Sequence, residues 1–134
     1  MADLDTQPTG TFTLVSDDNY DEYLRARGAD AVMIELARSV KPTVTIAVEG
    51  GSVRFTVGSA VKTLVWEFTP GQEQQIELMN GTSVKAVLTS ERGQWIIREL
   101  GSPDTVQVWE MADGELRSTL TYGDVGCVRT YAAA

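Results

Sequence analysis

The stretch Thr43-Val44-Thr45-Ile46-Ala47-Val48-Glu49-Gly50-Gly51-Ser52-Val53-Arg54-Phe55-Thr56-Val57 decides the fold. In its first limb Val44, Ile46 and Val48 alternate with Thr43, Thr45 and Ala47, the period of a strand with one buried face. Gly50-Gly51 then turns the chain into a second β-rich limb, which together is a hairpin signature. The same rhythm runs to the end of the chain. Strand-like runs follow at Lys62 to Phe68, Gln74 to Met79, Thr82 to Ser90, Gln94 to Leu100, Thr105 to Met111, Glu115 to Tyr122 and Val125 to Tyr131. Between them lie Pro70-Gly71, Asn80-Gly81, Arg92-Gly93, Gly101-Ser102-Pro103-Asp104, Asp113-Gly114 and Gly123-Asp124, most of it strong turn chemistry.

Upstream of the hairpin, Thr11-Phe12-Thr13-Leu14-Val15 alternates as a further strand. Ser16 ahead of Asp17 and Asp18 reads as a helix N-cap with acids in the first turn. Tyr20, Tyr23, Leu24 and Arg27 then share helical spacing, and Gly28 suits the position just past the end. A second short helix begins at Asp30, has Val32, Met33, Leu36 and Val40 among its apolar positions, and stops before Pro42. The expected fold is therefore mainly β: ten antiparallel strands in an up-and-down order, with a two-helix hairpin inserted after the first strand. A meander of that length escapes the edge-strand problem best by closing into a barrel. Residues 1–9, with Pro8 and no periodicity, read as a loose tail, and residues 10–134 as one domain.

Composition narrows the function. Eleven Lys and Arg against nineteen Asp and Glu give a formal charge of -8 at pH 7, which repels phosphate backbones and anionic lipid surfaces. Nucleic acid is not an expected partner. One Cys and no His exclude an intramolecular disulfide and a histidine-based acid/base pair. No cofactor or metal is expected, because a helix N-terminus accounts for most of the acids at Asp17, Asp18, Asp21 and Glu22. Met1 to Thr6 shows neither a basic region nor an apolar run, and no span approaches a membrane-crossing length. A cytoplasmic monomer without membrane insertion is the expectation. A lipid enzyme finds little support, since the chain has no Gly-x-Ser-x-Gly motif.

The last strand carries the sharpest functional signal. If Cys127, Arg129 and Tyr131 face inward, a guanidinium lies inside the barrel and calls for a carboxylate, a hydroxyl or water to meet its five donors. That arrangement suits an anion with an apolar tail. The same six residues also fit an edge strand whose arginine faces solvent.

Several segments together resemble one family. Gly10-Thr11-Phe12-Thr13-Leu14, Asn19-Tyr20-Asp21-Glu22-Tyr23-Leu24 with Gly28, Lys41-Pro42-Thr43, Asp113-Gly114-Glu115-Leu116 and Cys127-Val128-Arg129-Thr130-Tyr131 resemble the signatures of the cytosolic fatty-acid-binding proteins, the intracellular lipid-binding family that includes cellular retinoid carriers. The resemblance runs from Gly10 to Tyr131 with a small length difference near Ser102. It implies a clam-shaped ten-stranded barrel with a helical lid and one lipid in a partly wet cavity, hence a non-catalytic carrier. It further implies Arg129 and Tyr131 as carboxylate anchors, with Tyr20, Leu24, Met33 and Ala37 beneath the lid, Val61 at the portal, Asn80 in the gap region, and Ser118 and Leu120 on the ninth strand. One position departs from the family pattern: Trp109 stands where a second interior arginine is usual on the eighth strand. Gln107, one pleat away on the same face, is a neutral donor, so a retinoid or another lipid with a neutral head group remains an alternative to a long-chain fatty acid. Polar residues such as Gln107 and Ser118 make sense on an interior face only where water or ligand answers them.

Overall fold

A computed structural model describes residues 7–59, 62–78, 81–101 and 103–134. The elements run β1 (Gly10–Asp18), α1 (Tyr20–Ala26), α2 (Ala31–Ser39), β2 (Thr43–Glu49), β3 (Ser52–Gly58), β4 (Thr63–Phe68), β5 (Glu73–Glu77), β6 (Ser83–Glu91), β7 (Gln94–Glu99), β8 (Thr105–Ala112), β9 (Glu115–Tyr122) and β10 (Val125–Ala133). All ten strands belong to one antiparallel sheet, ordered β4-β3-β2-β1-β10-β9-β8-β7-β6-β5, which curls into a nearly closed barrel. The β2–β3 hairpin keeps the register of its sequence, from Thr43 opposite Gly58 to Glu49 opposite Ser52. Its turn residues Gly50 and Gly51 both have positive φ, 58° and 85°, as a type I′ connection requires.

The barrel does not close by a ladder. Among the described residues no strand pairing joins β4 to β5. Two side chains stitch that seam: the Trp66 indole donates to the Glu77 carbonyl at 2.8 Å, and Lys62 Nζ lies 3.1 Å from the Glu77 carboxylate.

Three details depart from the expectations. Ser16 does not cap a helix; Ser16, Asp17 and Asp18 extend β1 and pair with Thr130, Arg129 and Val128 of β10. The cause is a bulge between Leu14 and Ser16 that leaves Val15 as an extra residue in the ladder. The helix starts instead after Asn19, which adopts the left-handed conformation at φ 68° and donates from Nδ2 to the Gly126 carbonyl at 2.8 Å. Secondly, Gln7 and Pro8, within the segment expected to be loose, lie against β7: Gln7 is buried, and the Trp95 indole donates to the Pro8 carbonyl at 2.9 Å. Thirdly, the buried residue of α2 is Ile34, whereas Val32 and Leu36 are exposed. The helix boundaries otherwise follow local chemistry. Gly28, at φ 97°, ends α1, and the Asp30 side chain caps α2 by accepting from the Met33 amide at 2.9 Å.

Buried apolar side chains form two clusters. The larger fills the barrel with inward residues of nearly every strand, including Phe12, Ile46, Phe55, Leu88, Trp95 and Tyr131. The smaller, built on Tyr23, Leu120 and Cys127, lies where α1 packs on β9 and β10.

Candidate ligand-binding site

A cavity of about 290 Å³ lies inside the barrel beneath the helices, close to the roughly 300 Å³ at which small-molecule sites begin. Ten of the residues singled out from sequence line it: Tyr20, Leu24, Met33, Ala37, Gln107, Trp109, Ser118, Leu120, Arg129 and Tyr131. Val61 and Asn80 lie outside the described residues. Met33 and Leu36 line the cavity while staying partly exposed, so α2 contributes to its open side.

Strand periodicity places the polar groups. On β10 Cys127, Arg129 and Tyr131 are buried and alternate with half-buried neighbours, so the Arg129 side chain points inward, and the residue is only 7% exposed. The edge-strand reading is excluded, because β10 is paired on both sides, with β1 and β9. Arg129 is incompletely answered. Its Nη2 lies 3.8 Å from Asp17 Oδ2, its carbon Cζ sits 3.8 Å over the Tyr20 ring, and its buried Nε has no partner. Directly across from Arg129 on β9 is Ser118, which is wholly buried with its hydroxyl unpartnered.

Trp109 sits opposite Ser118 on the other side of β9. Its ring lies 5.7 Å from Tyr131 and 5.5 Å from Phe55, and its indole N–H donates to Gln107 Oε1 at 3.0 Å. An indole nitrogen can only donate, which fixes which end of the amide it meets and leaves the Gln107 NH₂ as a donor on the cavity wall. Burial pushes the Tyr131 phenol up to about 12, partly opposed by Arg129, so it is protonated and able to donate at neutral pH. Burial likewise raises the Tyr20 phenol, and Cys127 reaches about 12, an inert thiol at neutral pH.

A second, half-buried cation escapes sequence reading. Arg27, at the end of α1, forms a bidentate pair with Glu99 of β7, at 2.9 and 3.0 Å, and donates to the Tyr23 hydroxyl at 3.2 Å. Its guanidinium also lies over the Tyr122 ring at 4.9 Å. Burial opposes the charge on Arg27, but the Glu99 hydrogen bonds and its aromatic and acidic neighbours outweigh it and leave its pKa raised. The pair is separated by 72 residues, and the only sequence signal was that Arg27 shares a helical face with Tyr20, Tyr23 and Leu24. Asp17 was read as a helix-turn acid, since without the bulge its side chain falls on the other face.

The arrangement is a mainly apolar hollow, open on the α2 side, with one incompletely answered cation and several neutral hydrogen-bonding groups around it. It can hold a long apolar chain and orient a polar end. Comparison with known proteins agrees. Residues 6–132 match the model of the lipocalin / cytosolic fatty-acid binding protein family. Sodium/calcium exchanger regulatory protein 1 of Doryteuthis pealeii is 32% identical over 122 residues, covering 91% of this chain and 92% of that protein. Fatty acid-binding protein type 3 of Fasciola hepatica is 32% identical over 124 residues, covering 91% and 94%. In structure, the REP1-NXSQ fatty acid transporter superposes with a TM-score of 0.90 at 31% identity, covering 100% of this chain and 98% of that one. With the family model matched over residues 6–132 and the fold superposed over the full chain, this protein belongs to the lipocalin / cytosolic fatty-acid binding protein family and is a lipid carrier rather than an enzyme.

Proposed function

We propose that the chain carries one long-chain fatty acid in the cytoplasm, as a monomer, with the tail in the cavity and the carboxylate held by Arg129 and the Tyr131 phenol. The observation that carries this reading is the buried Arg129 with an unpartnered Nε on the wall of a mainly apolar hollow. A carboxylate is the acceptor that a buried guanidinium lacks. The fatty-acid-binding relatives support the same ligand class. Affinity and selectivity come from different parts of the ligand. About fifteen methylenes buried at about 0.8 kcal/mol each contribute roughly 12 kcal/mol gross, reduced by association and ordering costs. The charge-assisted contact adds about 1.5–3 kcal/mol and chooses the head group.

Calorimetry with palmitate and its methyl ester tests the anchor. Arg129→Gln is expected to weaken palmitate by about tenfold or more and to leave the ester nearly unchanged. Equal losses for the two ligands remove Arg129 from that role. Trp109 and its bond to Gln107 favour a second reading, a retinoid or other lipid with a neutral head group. Tighter binding of the alcohol than of the acid of equal chain length selects it.

A further inference from the structure

Arg129 and Tyr131 account for the carboxylate in the proposed carrier, but they leave the Ser118 hydroxyl and the Gln107 NH₂ on the cavity wall without a task. Ser118 is 0% exposed, lines the cavity, and its Oγ has no hydrogen-bond partner. Gln107 is 5% exposed, with its oxygen committed to the Trp109 indole and its NH₂ left over. Neither residue serves to pack the barrel: a leucine or valine fills an interior strand position without a desolvation cost.

Their places in the sheet define where they act. Ser118 is the direct cross-strand neighbour of Arg129, and Trp109 is the direct neighbour of Ser118 on the far side. Cross-strand neighbours stand about 5 Å apart at Cβ, so the Ser118 hydroxyl lies beside the first few carbons of a chain whose carboxylate is at Arg129. Gln107 faces Leu120, one pleat further along β9. A plain alkyl chain passing Ser118 removes water from the hydroxyl and returns nothing, whereas a chain with an oxygen at that point satisfies it. Sites built around a buried polar group discriminate against ligands that lack its partner.

Resting on the carrier reading above, we propose that this cavity is specific for oxygenated acyl chains: fatty acids with a hydroxyl or keto oxygen within the first few carbons of the carboxylate, that oxygen being received by Ser118 with the Gln107 NH₂ as a second donor. Trp109 acts as a positioning residue, holding the Gln107 amide in the orientation that presents its NH₂.

The test is calorimetric titration of the intact chain with palmitate, β-hydroxypalmitate and ω-hydroxypalmitate, for the natural sequence and for Ser118→Ala and Gln107→Leu. The natural sequence is expected to bind β-hydroxypalmitate about tenfold more tightly than palmitate, and to show no such preference for the ω-hydroxy acid, whose oxygen lies at the far end. Ser118→Ala, nearly isosteric, is expected to erase the preference, bringing the affinity for β-hydroxypalmitate down to that for palmitate measured on the same variant. Equal affinity for palmitate and its β-hydroxy form in the natural sequence overturns the proposal, as does a preference that survives both substitutions. Failure of all three acids to bind overturns the carrier reading itself, a separate outcome from equal binding.

Discussion

The phenols of Tyr23 and Tyr131 tie stability to alkaline pH. Burial pushes each to about 12 from an ordinary 10.0, with Arg27 and Arg129 respectively opposing the shift. The folded chain therefore keeps these protons where the unfolded chain releases them. Their contribution is complete below about pH 10 and is lost as pH rises from there through about 12. The denaturant midpoint is expected to hold steady on this account from neutral pH up to about 10 and to fall above it, with Tyr131→Phe flattening part of the fall. Phenolate absorbance from both residues appearing in the native protein at their ordinary pKa contradicts this. At this scale strand period put Cys127, Arg129 and Tyr131 on one face, and it was the family resemblance that made that face, with Ser118 and Trp109, the interior one. Asp17 was not legible, because one extra residue at Val15 reverses the alternation and brings a carboxylate beside the guanidinium.

Among the elements, α1 is the one held by charge. Its end is fixed to β7 by Arg27 and Glu99, its start to β10 by Asn19 and the Gly126 carbonyl, and its Tyr20 lies on Arg129. By contrast α2 touches α1 through the exposed Arg38–Asp21 ion pair, which adds little. The hinge of the lid is therefore expected at α2, and the anchor at Arg27. Glu99→Gln leaves the half-buried Arg27 charge without its counter-ion and is expected to cost about 1–3 kcal/mol in denaturant unfolding. The double replacement Arg27→Met with Glu99→Leu restores most of that stability, yet releases a bound fluorescent fatty acid faster in stopped-flow mixing. An unchanged release rate in the double variant removes the pair from any part in gating. Both helices were visible in the sequence from spacing and from Gly28 and Pro42, although the Ser16 cap was misplaced onto what is the end of β1; the pairing of Arg27 with Glu99 was not visible, since an ion pair between distant elements leaves no local period.

At the scale of the whole molecule, the order of ten strands follows from turn residues alone, and the seam between β4 and β5 is where that order ends. Trp66 bonds across it to the Glu77 carbonyl, so Trp66→Phe is expected to lower stability by about 1 kcal/mol and to speed amide hydrogen exchange in β4 and β5 more than elsewhere. Unaltered protection in those two strands places the stitching in other contacts. The seam has a further consequence. A continuous cylinder offers no bare amides, but a sheet with two ends has a pair of backbone borders, each shielded chiefly by the nearness of the other. Prise them apart, and each becomes a template on which a second copy can lay its own chain, so crowding or mild heat ought to favour end-to-end polymers that begin at this border.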